Sequence, residues 1–569
     1  MSLARTQKFI RQASRSYTIA AAVACILLSS NLKAQDIEQV IKAKPVTVTG
    51  GVTANTTFYN AQGIANRRDP FYWLLNANLN LNLFGVIQAP FSLTLTQQDK
   101  RFSQPQPFNR FGISPRYKAV TTHFGYRAMN FSEYTLAGVM FLGAGVEVNP
   151  TNSFVRVSAM YGRLTKAVER SAQEGLVFTK PTFRRMGYGL KVGLGRKKHM
   201  VDLIFFKAKD DANSIEITPD VDVTPEENLV GAIHTRHQIG ERVNAEFEYA
   251  YSLYTRDTRA EKPVNDTYTA ANNLFGLYNP NMSSEFNKAI TAMVNYNGNG
   301  YQAMLKIRQV DPGYRTLGAA FLNNGLKDVT GGASWTMFSQ KVNISTNAGI
   351  QQTTSEEAVV RVIYAINVNY LASKNFTVNS SYSNFSTTTR QTQIRADLRT
   401  DTLQYFQVTR SGNVSMNYRL GTEQNPNSLM LSANIQDATD SRNNSSTFYS
   451  LTFGDQIKLA QVWNVSVAAS MNKNTSAQVN NVSAGPIFGV NRTFFKNQLR
   501  SSASVTLLRS FQNAALLSNT ANAMITNSIR VAKKHSVALN CYYLKTDESG
   551  EKGRHFSEVR AMVNYGYTF

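Results

Sequence analysis

Hydrophobic and polar residues alternate along most of this chain with a period of two. Leu75, Ala77, Leu79, Leu81 and Leu83 alternate with Asn76, Asn78, Asn80 and Asn82. Met186, Tyr188, Leu190, Val192 and Leu194 alternate with Gly187, Gly189, Lys191, Gly193 and Gly195. Val243, Ala245, Phe247, Tyr249, Tyr251 and Leu253 alternate with Asn244, Glu246, Glu248, Ala250 and Ser252. Successive side chains of a strand point to opposite faces, so each segment has one apolar and one polar or small face. Repeated segments of about ten such residues are what a transmembrane barrel needs. Lipid cannot satisfy backbone N–H and C=O groups, so the strands must close on themselves.

Connections between the segments are unequal. Short turns recur near Gln88-Ala89-Pro90, Asn149-Pro150, Gly240-Glu241-Arg242 and Lys533-Lys534, and longer polar stretches such as 163–181 and 255–285 lie between them. This is the asymmetry of short periplasmic turns and long outer loops, and the turn count predicts about 24 strands, with 22 to 26 accommodated. The last segment ends the chain: Val559, Ala561, Val563, Tyr565, Tyr567 and Phe569 form an apolar face against Glu558, Arg560, Met562, Asn564, Gly566 and Thr568. It resembles the terminal strand read by the outer-membrane barrel assembly machinery. The expected fold class is therefore all-β: a single large antiparallel transmembrane β-barrel behind an N-terminal signal peptide.

The first residues fit export. Arg5, Lys8, Arg11 and Arg15 precede an apolar run from Thr18 to Leu28, and Leu32-Lys33-Ala34 ends in a small residue suited to cleavage. Residues 1–34 read as the signal peptide, 35–44 as a periplasmic lead-in and 45–569 as the barrel. Charged residues make up 17 % of the chain, below the soluble norm of about 25 %. Past the signal, no apolar run approaches the roughly 20 residues of a membrane helix. The formal charge of +23 falls to about +18 once Arg5, Lys8, Arg11, Arg15 and Lys33 are removed. Cys541 is then the remaining cysteine, which leaves no intramolecular disulfide and no Cys-based metal site. The expected partners are outer-membrane lipid and lipopolysaccharide, the assembly machinery and a plug or secretion partner. Nucleic acid is not expected after export.

Two stretches break the hairpin rhythm. One, 100–135, contains Gly125-Tyr126-Arg127; the other, 311–328, contains Gly313-Tyr314-Arg315. Both are rich in aromatics, and either folds inward to restrict a pore at Tyr126, Arg127, Tyr314 and Arg315, or forms an ordinary outer loop packed on its own aromatics. The run Ile113-Ser114-Pro115-Arg116-Tyr117-Lys118 through Gly125-Tyr126-Arg127, then Tyr134-Thr135-Leu136-Ala137-Gly138, resembles a motif of large outer-membrane proteins of Bacteroidota-type bacteria. Asp311-Pro312-Gly313-Tyr314, followed by Gly318, resembles a second. The resemblance implies fold and location but no reaction, and it carries over no catalytic residue.

Alternation assigns Arg156, Lys191, Lys306, Arg308, Arg361, Arg419 and Arg560 to the lumen, with Glu246, Glu248 and Glu558. Either these charges give a positive field that favours anions, or they pair and brace a wide barrel. His234 and His237 fall on opposite faces of a strand, a poor metal geometry. No Ser–His or Asp–His pair is marked at a rim, and no phosphate-binding loop is present. The expectation is a non-enzymatic chain, without cofactor or metal, acting as an outer-membrane channel or translocation pore. The alternative is a non-conducting scaffold or anchor for a surface or secretion complex. A TonB-dependent receptor would carry an N-terminal plug domain of over a hundred residues, whereas strand patterning starts here near residue 45.

Overall fold

The computed structural model describes residues 44–569 apart from 98–104, 152, 170–180, 197, 217–222, 263–275, 355–359, 395–399, 422–425, 441–443, 460–461, 477, 496–497 and 551–552. The expected signal peptide, and all but the last residue of the lead-in, lie outside the described residues. The remainder is one continuous antiparallel sheet of 27 strands.

In chain order these are β1 Val46–Gln62, β2 Phe71–Leu83, β3 Ile87–Thr96, β4 Arg110–Ile113, β5 Arg116–Tyr117, β6 Val120–Asn130, β7 Ala137–Val148, β8 Val155–Thr165 and β9 Arg184–Arg196. Next come β10 His199–Asp211, β11 Glu227–Ile239, β12 Val243–Thr255, β13 Ser284–Asn297, β14 Tyr301–Val310, β15 Leu326–Met337, β16 Val342–Thr353, β17 Val360–Ser373 and β18 Phe376–Ile394. The last are β19 Thr400–Gly421, β20 Pro426–Asp440, β21 Ser445–Leu459, β22 Trp463–Ser476, β23 Asn480–Phe494, β24 Leu499–Gln512, β25 Ala515–Val531, β26 His535–Glu548 and β27 His555–Thr568.

Each strand pairs with its neighbour, and β1 pairs with β27 from Gly51↔Thr568 to Gln62↔Ser557, which closes the barrel. The pieces β4 and β5 both pair with β3 and are interrupted at Ser114-Pro115, so they share one position. The barrel thus has 26 positions, two more than the central expectation of 24. The uncounted hairpin turns at Lys118-Ala119, where Lys118 takes a positive φ of 51°, within the stretch expected to fold inward. The first short turn lies at 84–86, and Gln88, Ala89 and Pro90 belong to β3.

Both described ends of the sheet lie at the end that carries the short turns, which is the periplasmic end. Following the register from strand to strand around all 26 positions returns to the starting face without conflict. The outward face is apolar. Near the periplasmic end it carries an aromatic girdle: Tyr296 stacks on Tyr301 at 5.7 Å, Phe376 meets Tyr418 edge-on at 5.9 Å, and Arg492 lies 4.5 Å over Trp463. Aromatics at that level suit the boundary between hydrocarbon and headgroups. At the outer end, Tyr278 of the 256–283 connection packs back on Leu229 and Leu253 of the outward face.

Candidate functional site: a latch inside the barrel

The main apolar core lies inside the barrel. On β10 to β13 one patch of inward positions is small or apolar: Phe206 and Ala208, then Val230 and Ala232, then Ala250, then Ala289, followed by Val310 on β14. A stripe of alanines on adjacent inward positions makes a shallow dry floor where a porin wall would be polar. The connection 131–136 between β6 and β7 lies on that floor with Phe131, Tyr134 and Leu136, and the connection 311–325 between β14 and β15 brings Tyr314 beside them. Tyr134, Leu136 and Tyr314 are 0 % exposed, so neither segment is a solvated outer loop.

The two segments also bond to each other. Tyr314 Oη donates to the Tyr134 carbonyl at 2.7 Å, Thr316 Oγ1 to the Thr135 carbonyl at 2.6 Å, and the Ala137 amide to the Gly318 carbonyl at 2.9 Å. The Tyr134 and Tyr314 rings meet edge-on at 5.9 Å. The wall holds the pair in place: Asn228 Nδ2 and Ser252 Oγ donate to the Arg315 carbonyl, Asn228 Oδ1 accepts from the Leu317 amide, and Tyr134 shares a hydrogen bond with Thr291. Lys191 Nζ donates to the Phe131 carbonyl at 3.0 Å. Buried polar groups of an irregular segment are costly unless partnered, and here both side chains and main chain find partners. Burial pushes the Tyr134 and Tyr314 phenols well above their ordinary range, so both stay neutral. Close approach requires glycine on the wall. A Cβ at Gly189 of β9 would stand 2.7 Å from the Phe131 ring, and one at Gly318 would stand 2.8 Å from Phe206.

The residues expected at the restriction fall in different places. Tyr314 is the centre of the latch. Arg315 directs its guanidinium over Tyr254 at 5.1 Å, donates to the Tyr254 hydroxyl at 3.0 Å and approaches Glu226 at 3.8 Å. Arg127 faces the lumen but lies along the wall, donating to Ser92 Oγ, the Pro90 carbonyl and the Gly112 carbonyl. Tyr126 requires correction: it pairs with Leu142 on the outward face, and its hydroxyl accepts from Arg163 there. The inward segment 100–135 also narrows among the described residues, because 110–130 belongs to the wall and 131–136 is the part that turns inside.

The register sets Arg156, Lys191, Lys306, Arg308, Arg419 and Arg560 on the inner face, with Glu246, Glu248 and Glu558. Arg361 pairs opposite Gln351, and its side chain lies outside the described residues. Most of the charges on the latched half are partnered. Arg156 and Lys191 share Asp202 at 3.1 and 3.3 Å, Arg308 holds Asp328 at 2.6 Å and Glu133 at 3.6 Å, and Arg236 meets Glu246 at 3.5 Å. Glu558 pairs with Arg67, Arg560 stacks over Tyr542 at 4.3 Å, and Glu248 is buried beside the latch. Asp202, Asp210 and Asp328 are acids that a reading of basic positions overlooks; each stands an even number of residues from other inward positions.

The wall also joins residues that spacing did not connect. Ser114 Oγ lies 2.9 Å from His123 Nδ1, and His123 Nε2 lies 3.4 Å from Glu147. The three tie the β4–β5 break to β6 and β7. Among the described residues no group of three or more His, Cys, Asp or Glu side chains could hold a metal ion.

The next stretch of wall differs. From β16 to β20 one belt of inward residues runs Asn343, Asn369, Asn379, Ser415 and Ser432, each register partner of the last. The large fully buried side chains all fall between Tyr134 and Tyr314, so no described segment covers this belt as the latch covers β10 to β14.

A closed sheet with an apolar exterior, an aromatic girdle and a hydrated polar lumen is an outer-membrane β-barrel. No protein family and no curated protein matches the sequence. Solved structures with similarity include the P pilus usher translocation pore (10 % identity, 92 % of this chain, 99 % of that chain, TM-score 0.38). Others are the ferric yersiniabactin uptake receptor FyuA from Yersinia pestis (8 %, 92 %, 80 %, 0.41) and OccK5 from Pseudomonas aeruginosa (11 %, 68 %, 94 %, 0.28).

Proposed function

We propose that this chain is a channel or translocation pore, restricted along part of its wall by the 131–136/311–325 latch and hydrated along β16 to β20. In this reading it performs no chemistry. Residues 1–34 are its export signal, and it belongs with the large Bacteroidota-type outer-membrane proteins that its motifs resemble. The observation that carries the reading is the uneven lumen: an apolar docked latch over β10 to β14, followed along the wall by an uncovered belt of small uncharged polar side chains on β16 to β20. Barrels of 16–18 strands already leave an aqueous channel, so 26 positions leave room beside the latch. Small Ser and Asn side chains hydrate the wall without gripping a passing solute.

The test is single-channel conductance of refolded protein in a planar bilayer, with Tyr314→Ala beside the parent. Emptying the Tyr314 site removes about 3 kcal/mol of docking, and conductance rises several-fold. Silence from both proteins, with folding verified by heat-modifiable gel mobility, would reject the pore and leave a non-conducting scaffold.

A further inference from the structure

The basic excess of this chain is unevenly placed. Six cations face inward within two residues of a periplasmic strand end: Arg116 on β5, Arg156 on β8, Arg419 on β19, Lys458 on β21, Arg500 on β24 and Arg530 on β25. Arg156 pairs with Asp202; the other five have no ion pair among the described residues, and Arg116, Arg419, Arg500 and Arg530 are exposed. The inward acids near that end are already engaged: Glu147 by His123, Asp202 by Arg156 and Lys191, and Glu246 by Arg236. Asp210, Glu226 and Asp328 stand at the outer end. The periplasmic mouth is thus a ring of largely uncompensated positive charge.

Two features decide what the ring fits. Being on the inner face, it is turned away from the phospholipid headgroups, unlike Arg242 and Lys534 of the turns, which lie against the outward Tyr296 and Tyr567. Its members also fall in separate groups: Arg116 with Arg156 on one hollow, Arg419 with Lys458 on another, and Arg500 with Arg530 on adjacent strands. A barrel of 26 positions is about 50 Å across, and Arg156 and Arg419 lie eleven strand labels apart on opposing walls. A small anion would engage one such group and leave the others unmet. Only a wide body engages the ring as a whole. We propose that the periplasmic mouth docks an acidic folded protein, seated in the opening against this ring. Such docking serves a conducting barrel or a scaffold equally, so it stands apart from the pore reading.

The experiment places a photoreactive phenylalanine derivative at Thr121 and, separately, at Ser428, the register partners of Arg116 and Arg419, in the native host. Both positions are expected to give an adduct with one and the same acidic protein. That protein, purified, then binds the refolded barrel with an affinity that falls steeply with salt and drops at least 10-fold in Arg419→Glu/Arg500→Glu/Arg530→Glu. Heat-modifiable mobility of the variant, matched to the parent, reports that the barrel itself is intact. Different adducts from the two walls, or an affinity indifferent to charge reversal, would overturn the proposal. A polydisperse smear without a protein adduct would overturn it in favour of an anionic polymer entering the mouth, and absence of any adduct would also count against it.

Discussion

Gly189 shows how far one inward residue governs this lumen. Strand β9 alternates glycine with large apolar residues, and its glycines turn inward where Phe131 needs to lie. Valine there would press into the ring. Overpacking of this kind costs about 1–3 kcal/mol, and the 131–136 segment, which lacks the wall's strand ladder, is what gives way. Gly189→Val should therefore fold normally, exchange the amides of 131–136 faster in hydrogen–deuterium exchange and raise conductance. Unchanged protection of 131–136 would mean that Phe131 does not seat the latch. The glycines were readable as an inward stripe from alternation, but their purpose was not. Likewise Tyr126 and Arg127, adjacent and equally suggestive, part to opposite faces once the register is fixed.

At the level of elements, the latch joins segments that are 180 residues apart at Tyr134 and Tyr314. The short contact between Ala137 and Ala319 offers a direct control. In a Cys541→Ser background, Ala137→Cys with Ala319→Cys places two thiols on bridged residues, within the Cα separation of about 4.4–6.8 Å that a disulfide needs. The oxidised double variant should conduct in one steady low state, and reduction should restore the parent's behaviour. If oxidation leaves conductance fluctuations untouched, the segments do not move apart during gating. Both segments stood out in the sequence as aromatic-rich breaks in a two-residue rhythm. What could not be read there was that 110–130 is wall. The Ser114-Pro115 interruption splits one strand into pieces of four and two residues, too short for alternation to register, and that is why the Lys118-Ala119 turn went uncounted.

For the molecule as a whole, stability depends on closure. Strand β27 is bonded to β26 on one side and to β1 on the other. Deleting Val559–Phe569 strips both ladders over most of their length and leaves two unpaired edges in hydrocarbon, where each unsatisfied backbone group costs several kcal/mol. The truncated chain should show no heat-modifiable mobility and should aggregate, whereas removal of a latch segment should leave mobility intact. A truncated chain that still migrates as a folded barrel would show that β26 can close on β1 directly.

Strand content, the facing of nearly every residue, the membrane environment and the closing strand follow from this sequence alone, because a period of two and a lipid exterior act on each strand locally. Tertiary structure decided the count of 26, the fate of the two aromatic segments and the pairing of the lumen charges. The count was hidden by a strand broken at Ser114-Pro115, and the other two depend on which residues the sheet brings within reach on neighbouring strands and over the lumen floor. Alternation reports a side chain's face but carries no information about its distance from a residue on another wall. Tyr314 could be read as unusual, and only the closed barrel could bring Tyr134 to it.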